Sequence, residues 1–122
     1  MKVFISGSKA IGQLDMKTKN YLQQVKDKGY HVLVGDCWGV DALVQRFFID
    51  YPHVTVYHSG TPRNNLGQWK TVCIYGQRWE KDVQMAEDAD CGIAIWDGKS
   101  RGTGNNIERL KQNSKTVLVI NL

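Results

Sequence analysis

Three short segments of this chain combine glycine with hydroxyl and charged residues at the spacing of a tight turn. They are Ser6-Gly7-Ser8-Lys9, Gly35-Asp36-Cys37-Trp38-Gly39-Val40-Asp41 and Trp96-Asp97-Gly98-Lys99-Ser100-Arg101-Gly102-Thr103. Glycines let a backbone approach a ligand closely. A helix that starts just after such a turn offers free N–H groups and a positive dipole end to an anion. The third segment adds the Ser100 and Thr103 hydroxyls and the charges of Lys99 and Arg101, so it reads as a phosphate cradle; a glycine-rich connection with a capped helix is the plainer alternative. Asp36 and Asp41 can accept hydrogen bonds from sugar hydroxyls, although Asp41 also suits the cap of a helix beginning near Val40. Trp38 and Trp96 stand beside these turns, placed either to stack on a base or to pack at the rim.

These turns are positioned by apolar runs. Val3-Phe4-Ile5, His31-Val32-Leu33-Val34, Val54-Thr55-Val56-Tyr57, Cys91 to Trp96 and Thr116 to Ile120 read as five strands. Between them, helical stripes recur at Leu14, Tyr21, Leu22 and Val25, with Gly29 as C-terminal signal, and at Val40, Leu43, Val44 and Phe47. Further stripes begin at Trp79, Val83 and Ala86 and at Thr103, Ile107 and Leu110. Alternating strands and helices, with strands apolar throughout, predict a parallel sheet covered on both faces. The expected fold is a compact α/β Rossmann-like three-layer sandwich with a five-stranded parallel sheet, one domain over residues 1–122. In such sheets ligands bind beyond the carboxyl ends of the strands, where all three glycine turns lie. Residues Ser59 to Arg78 read as one long loop, and Arg63, Asn64 and Asn65 within it can fold over a bound anion.

Several function classes lose support. Gly98-Lys99-Ser100 resembles the end of a nucleoside-triphosphate loop, but the glycine required five residues earlier is Ile93. The GxGxxG dinucleotide signature is absent, since the first turn reads Gly7-Ser8-Lys9-Ala10-Ile11-Gly12. Cys37, Cys73 and Cys91 form no CxxC pair and share no ligand spacing with the histidines, so no disulfide frame, metal or cofactor is expected, and Cys91 reads as core. No apolar run approaches the about 18 residues of a membrane span. The short N-terminus carries no leader pattern, and the expected compartment is the cytoplasm. The net charge is +4, concentrated in basic stretches at residues 63–81 and 99–111, which suits an anionic small ligand and weakly suits nucleic acid.

Taken in order, the Val3-to-Ser8 opening, the Gly35-Asp36 to Asp41 turn, Asp82 through Asp90 and Ile95 to Thr103 resemble the SLOG superfamily, which unites DprA-type proteins with the Lonely Guy phosphoribohydrolases. The likeness spans nearly the whole chain and is nearest the small stand-alone YpsA-like branch. The segment from Lys81-Asp82 to Thr103 is also similar to nucleoside deoxyribosyltransferases. The resemblance implies a nucleotide, nucleotide-sugar or related phosphorylated ligand over the first, second and fourth strand ends, and a homodimer. Ligand residues are then expected at Ser6, Gly7, Ser8, Gly35, Asp36, Trp38, Gly39, Asp41, Arg63, Asn64, Trp96, Asp97, Gly98, Lys99, Ser100, Gly102, Thr103 and Asn106.

The hydrolases of the group carry a glutamate three residues after their Gly-Thr pair, and Asn106 stands there. Asparagine is neither a carboxylate nucleophile nor a general base. Glu108 lies two residues on, about 200° around a helix. The expectation is therefore binding or sensing without turnover, with no catalytic residue assigned. The alternatives are an N-glycosidic hydrolase or transferase acting on nucleotides, which keeps Glu80 and Asp82 as candidate carboxylates, and DprA-like binding of single-stranded nucleic acid. No membrane partner is expected.

Overall fold

A computed structural model describes residues 1–122. The strands are β1 (Lys2–Gly7), β2 (His31–Gly35), β3 (Val54–His58), β4 (Lys70–Cys73), β5 (Cys91–Trp96) and β6 (Val117–Asn121). The helices are α1 (Met16–Asp27), α2 (Val40–Phe47), α3 (Glu80–Asp88) and α4 (Arg101–Gln112). All six strands are parallel in the order β4-β3-β2-β1-β5-β6. The sheet thus has six strands rather than the five expected. The extra one, β4, lies inside the segment read as a loop. Lys70 and Thr71 are exposed and Val72 and Cys73 only half-buried, so no apolar run announces an edge strand whose order comes from pairing with β3.

Period-two alternation along the strands sends side chains to two cores. Val3, Ile5, Val32, Val34, Ile93 and Ile95 join residues of α1 and α2 on one face. Phe4 and Leu33 meet Met85, Ala86 and Leu110 of α3 and α4 on the other. Two helix stripes are rotated from their expected faces. In α2 the buried residues are Val40, Ala42, Val44 and Gln45, whereas Leu43 and Phe47 flank the core. In α3 they are Lys81, Met85 and Ala86, and Trp79 is 55% exposed. Cys91, expected in the core, is only half-buried at the start of β5.

Polar residues hold the long β3–β4 connection. The buried amide of Gln45 donates to the carbonyls of Gly35 and Asn64 at 3.0 Å each and accepts from the Leu66 N–H at 2.9 Å. Asn64 in turn donates to the Asp36 carbonyl at 3.0 Å. The fully buried Asp36 carboxylate accepts from the Arg63 backbone N–H at 2.8 Å and from its guanidinium at 3.1 Å. Burial alone would raise the Asp36 carboxyl, but the Arg63 hydrogen bonds and charge hold it below the ordinary carboxylate value.

Removing one partner of such a pair leaves a buried charge without compensation. Arg63→Ala is therefore expected to cost about 3 kcal/mol, read as a fall in melting temperature of about 10 °C or more. Thermal unfolding at pH 7 checks this; an unchanged melting temperature would free Arg63 for a role toward a ligand.

Candidate functional site

The chain returns to the middle of the sheet to add β5 on the far side of β1, so strand order reverses there and a crevice opens between flanking turns. A cleft of about 390 Å³ occupies that place. Ser6 and Gly7 contribute from the end of β1, Asp41 from the first turn of α2, and Asp97 from the turn after β5. Ser100, Gly102, Thr103 and Asn106 line it from the start of α4. These eight of the expected site residues come together.

The other ten stand elsewhere. Ser8 is fully buried, and its hydroxyl accepts from the Asp97 N–H at 3.1 Å, tying the two turns. Gly35 sits behind Asp41, where a Cβ would come 2.5 Å from Oδ2. Gly39, at φ +76°, opens α2 beside the Lys9 backbone. Asp36, Arg63 and Asn64 belong to the internal network described above. Trp38, 65% exposed, lines a separate shallow depression with Lys9, Arg46 and Leu66. The Trp96 indole donates to the Ser100 carbonyl at 3.0 Å, bracing the start of α4. Gly98 and Lys99 are exposed on the turn itself.

The α4 end presents hydrogen-bond donors to the cleft. Asp97 Oδ1 accepts from the Lys99 and Ser100 N–H groups at 2.8 Å each, which shapes the turn and holds the Asp97 carboxyl below its ordinary value. The first α4 ladder bond runs from the Gly104 N–H to the Ser100 carbonyl at 3.1 Å. The N–H groups of Arg101, Gly102 and Thr103 have no acceptor within the protein, and no side chain caps the helix. Asn106 Oδ1 accepts from Arg109 at 2.7 Å, which leaves the amide nitrogen of Asn106 as a donor.

The opposite wall carries what sequence reading missed. Lys81 is only 4% exposed and lines the cleft with Asp82, Met85 and Cys37. Its ammonium makes two long hydrogen bonds, 3.3 Å to Asp82 Oδ1 and 3.4 Å to the Arg78 carbonyl. Burial disfavours its charge, but Asp82, Cys37 and Asp41 outweigh burial and raise its pKa. The sequence signal was faint: Lys81 stands four residues before Met85 on one helical stripe, where a lysine reads as surface.

Asp41 does not cap α2. It lies inside the first turn and reaches back to accept from the Cys37 N–H at 3.1 Å. Withdrawal from water pushes its carboxyl up to about 7; the Cys37 hydrogen bond and Lys81 oppose the rise, and Asp82 and Asp36 add to it. Burial and Asp41 likewise raise the Cys37 thiol.

A carboxyl with a folded pKa near 7 and an ordinary one of 3.8 keeps, in the fold, a proton that the unfolded chain releases. Its contribution is full below about pH 4 and is lost as pH rises through about 7. Asp41→Asn keeps an acceptor for the Cys37 N–H and carries no charge. At pH 8 it is expected to melt about 5 °C above the wild type, a gain that vanishes by pH 4.5. Melting curves across that range check it, and a pH-independent difference would contradict it.

No protein-family model matches the sequence, and no curated protein matches it. No helix is long and apolar enough to cross a membrane. Among solved structures, the chain is similar to DNA processing protein A (DprA) from Helicobacter pylori, described for its unique single-stranded DNA binding mode. The TM-score is 0.72 at 15% identity, over 98% of this chain and 64% of that one. The chain thus spans somewhat less than two thirds of that protein's length, and the likeness establishes a DprA-like fold.

Proposed function

We propose that the cleft binds a nucleotide, nucleotide-sugar or related phosphorylated small molecule, with its phosphate on the first turn of α4, and that the protein acts by binding rather than turnover. One observation supports the reading: the unpaired amides of Gly102 and Thr103 and the Thr103 hydroxyl stand at one end of a cleft whose other wall holds the buried ammonium of Lys81. Free amides, a helix dipole and a fixed cation together favour an anion. Asn106 occupies the position where hydrolases of the SLOG group place a glutamate, which favours a ligand left intact. Membership of the YpsA-like branch is part of the same proposal.

A second reading is single-stranded nucleic acid as the ligand. It rests on the DprA-like fold and on the exposed Trp38 beside Lys9 and Arg46, an aromatic face with basic neighbours at the edge of the cleft. Retention of oligonucleotides that falls steeply with salt, while mononucleotides fail to compete, favours that reading. Pairing into a homodimer is also proposed. Tyr75 and Trp79, 84% and 55% exposed beside the start of α3, are apolar surface of the kind a second copy covers. A dimeric mass by light scattering at micromolar concentration is expected, and a monomeric mass counts against it.

Thr103→Ala removes one hydroxyl from the cradle and is expected to weaken a phosphorylated ligand up to about tenfold. Binding of the dephosphorylated analogue should barely change. Titration calorimetry of the wild type and the variant with AMP and adenosine checks this. Equal affinity of the wild type for the two ligands defeats the phosphate reading, and release of free base defeats binding without turnover.

A further inference from the structure

Ser6 is 4% exposed, lines the cleft, and its hydroxyl oxygen has no hydrogen-bond partner. A buried hydroxyl without a partner carries a desolvation cost that a ligand can relieve. It lies on the α3–α4 side of β1, the side to which Phe4 points two residues earlier. The carboxyls of Asp41 and Asp82 line the same cleft. The polar groups of the cleft therefore fall into two sets. Amides and the Asn106 amide nitrogen cluster at α4, whereas Ser6, Asp41 and Asp82 supply acceptors from β1, α2 and α3. The first set suits a phosphate, and the second suits vicinal hydroxyls.

No aromatic face in the cleft is free to stack on a base. The aromatic side chain of its lining is Phe4, which is 1% exposed and packed in the core. Trp38, Trp79 and Trp96 all lie outside its lining.

We infer that the cleft recognises a sugar phosphate: the first turn of α4 holds the phosphate, Ser6, Asp41 and Asp82 hold the ring hydroxyls, and any base attached to the sugar stays outside. This inference rests on the phosphate reading above and narrows it to a ligand class that includes nucleotides without selecting among them.

The test is titration calorimetry of the full chain with ribose 5-phosphate, 2-deoxyribose 5-phosphate, AMP, CMP, adenosine and inorganic phosphate. Ribose 5-phosphate, AMP and CMP are expected to bind within about threefold of one another, and the deoxy sugar about tenfold more weakly. Ser6→Ala removes a hydroxyl that bonds nothing in the free protein, so it should fold normally. It is expected to weaken ribose 5-phosphate about fivefold and leave inorganic phosphate unchanged, whereas Thr103→Ala weakens both. AMP or CMP binding more than tenfold tighter than ribose 5-phosphate, or no loss in Ser6→Ala, overturns the inference and leaves the phosphate reading standing. Adenosine binding as tightly as AMP overturns both.

Discussion

A Cβ on Gly7 would lie 2.4 Å from Val40 Cγ1 and 2.7 Å from the Ile95 carbonyl oxygen. Strands β1 and β5 and the start of α2 meet at this point because the residue has no side chain. Packed interiors do not yield a full ångström cheaply, so any larger residue pushes α2 or β5 outward. The Ser8 contacts lie one residue further on, where its N–H donates to Ile95 and its hydroxyl accepts from Asp97. The distance between the β1 turn and the β5 turn is thereby fixed. The cleft opens beside this junction, lined by Gly7 itself and by residues of α2, α3 and α4.

On the far side of β1 the carboxyl edge is held by polar contacts instead of apolar ones. Asp36, Arg63, Asn64 and Gln45 join the end of β2, α2 and the β3–β4 connection through buried hydrogen bonds. A connection without a helix has no apolar stripe to dock it, so side-chain amides and one ion pair take over that task. This explains how a segment rich in glycine and asparagine can lead into the edge strand β4. It also explains why Arg63, whose type and position suit an anion, is instead committed to Asp36.

The sequence made five of the six strands and the three glycine turns legible, because burial on both faces leaves apolar runs and tight turns leave glycine. It did not reveal β4, where Lys70 and Thr71 face water and order comes from pairing with β3. Nor did it reveal Lys81 and Gln45, since polar residues inside a helix are read as surface unless their partners are known. The partners of Gln45 are 10, 19 and 21 residues away, and no local pattern encodes them. Ser6, Gly7 and the start of α4 were readable for the opposite reason: turn and helix-start chemistry is local. Asp41 was read both as a ligand carboxylate and as a helix cap; the structure places it in the cleft lining, with its carboxylate accepting from the Cys37 N–H instead of capping α2.

The electrostatics of the cleft pose a question that its geometry answers. On the proposed reading a phosphate enters a space lined by Asp41, Asp82 and Asp97, with Lys9 and Lys81 as the cations. Asp97 directs one oxygen to its own turn, where two backbone N–H groups spread its charge. Asp82 is bonded to Lys81, which offsets it locally. Desolvation raises the Asp41 carboxyl to about 7, which makes it largely uncharged just below neutrality. What remains at the α4 end is a set of fixed N–H dipoles that need no counter-charge and no reorganisation to receive an anion. Asp41 and Asp82 line the cleft from α2 and α3, away from those N–H groups, and the proposed sugar hydroxyls would find their acceptors there.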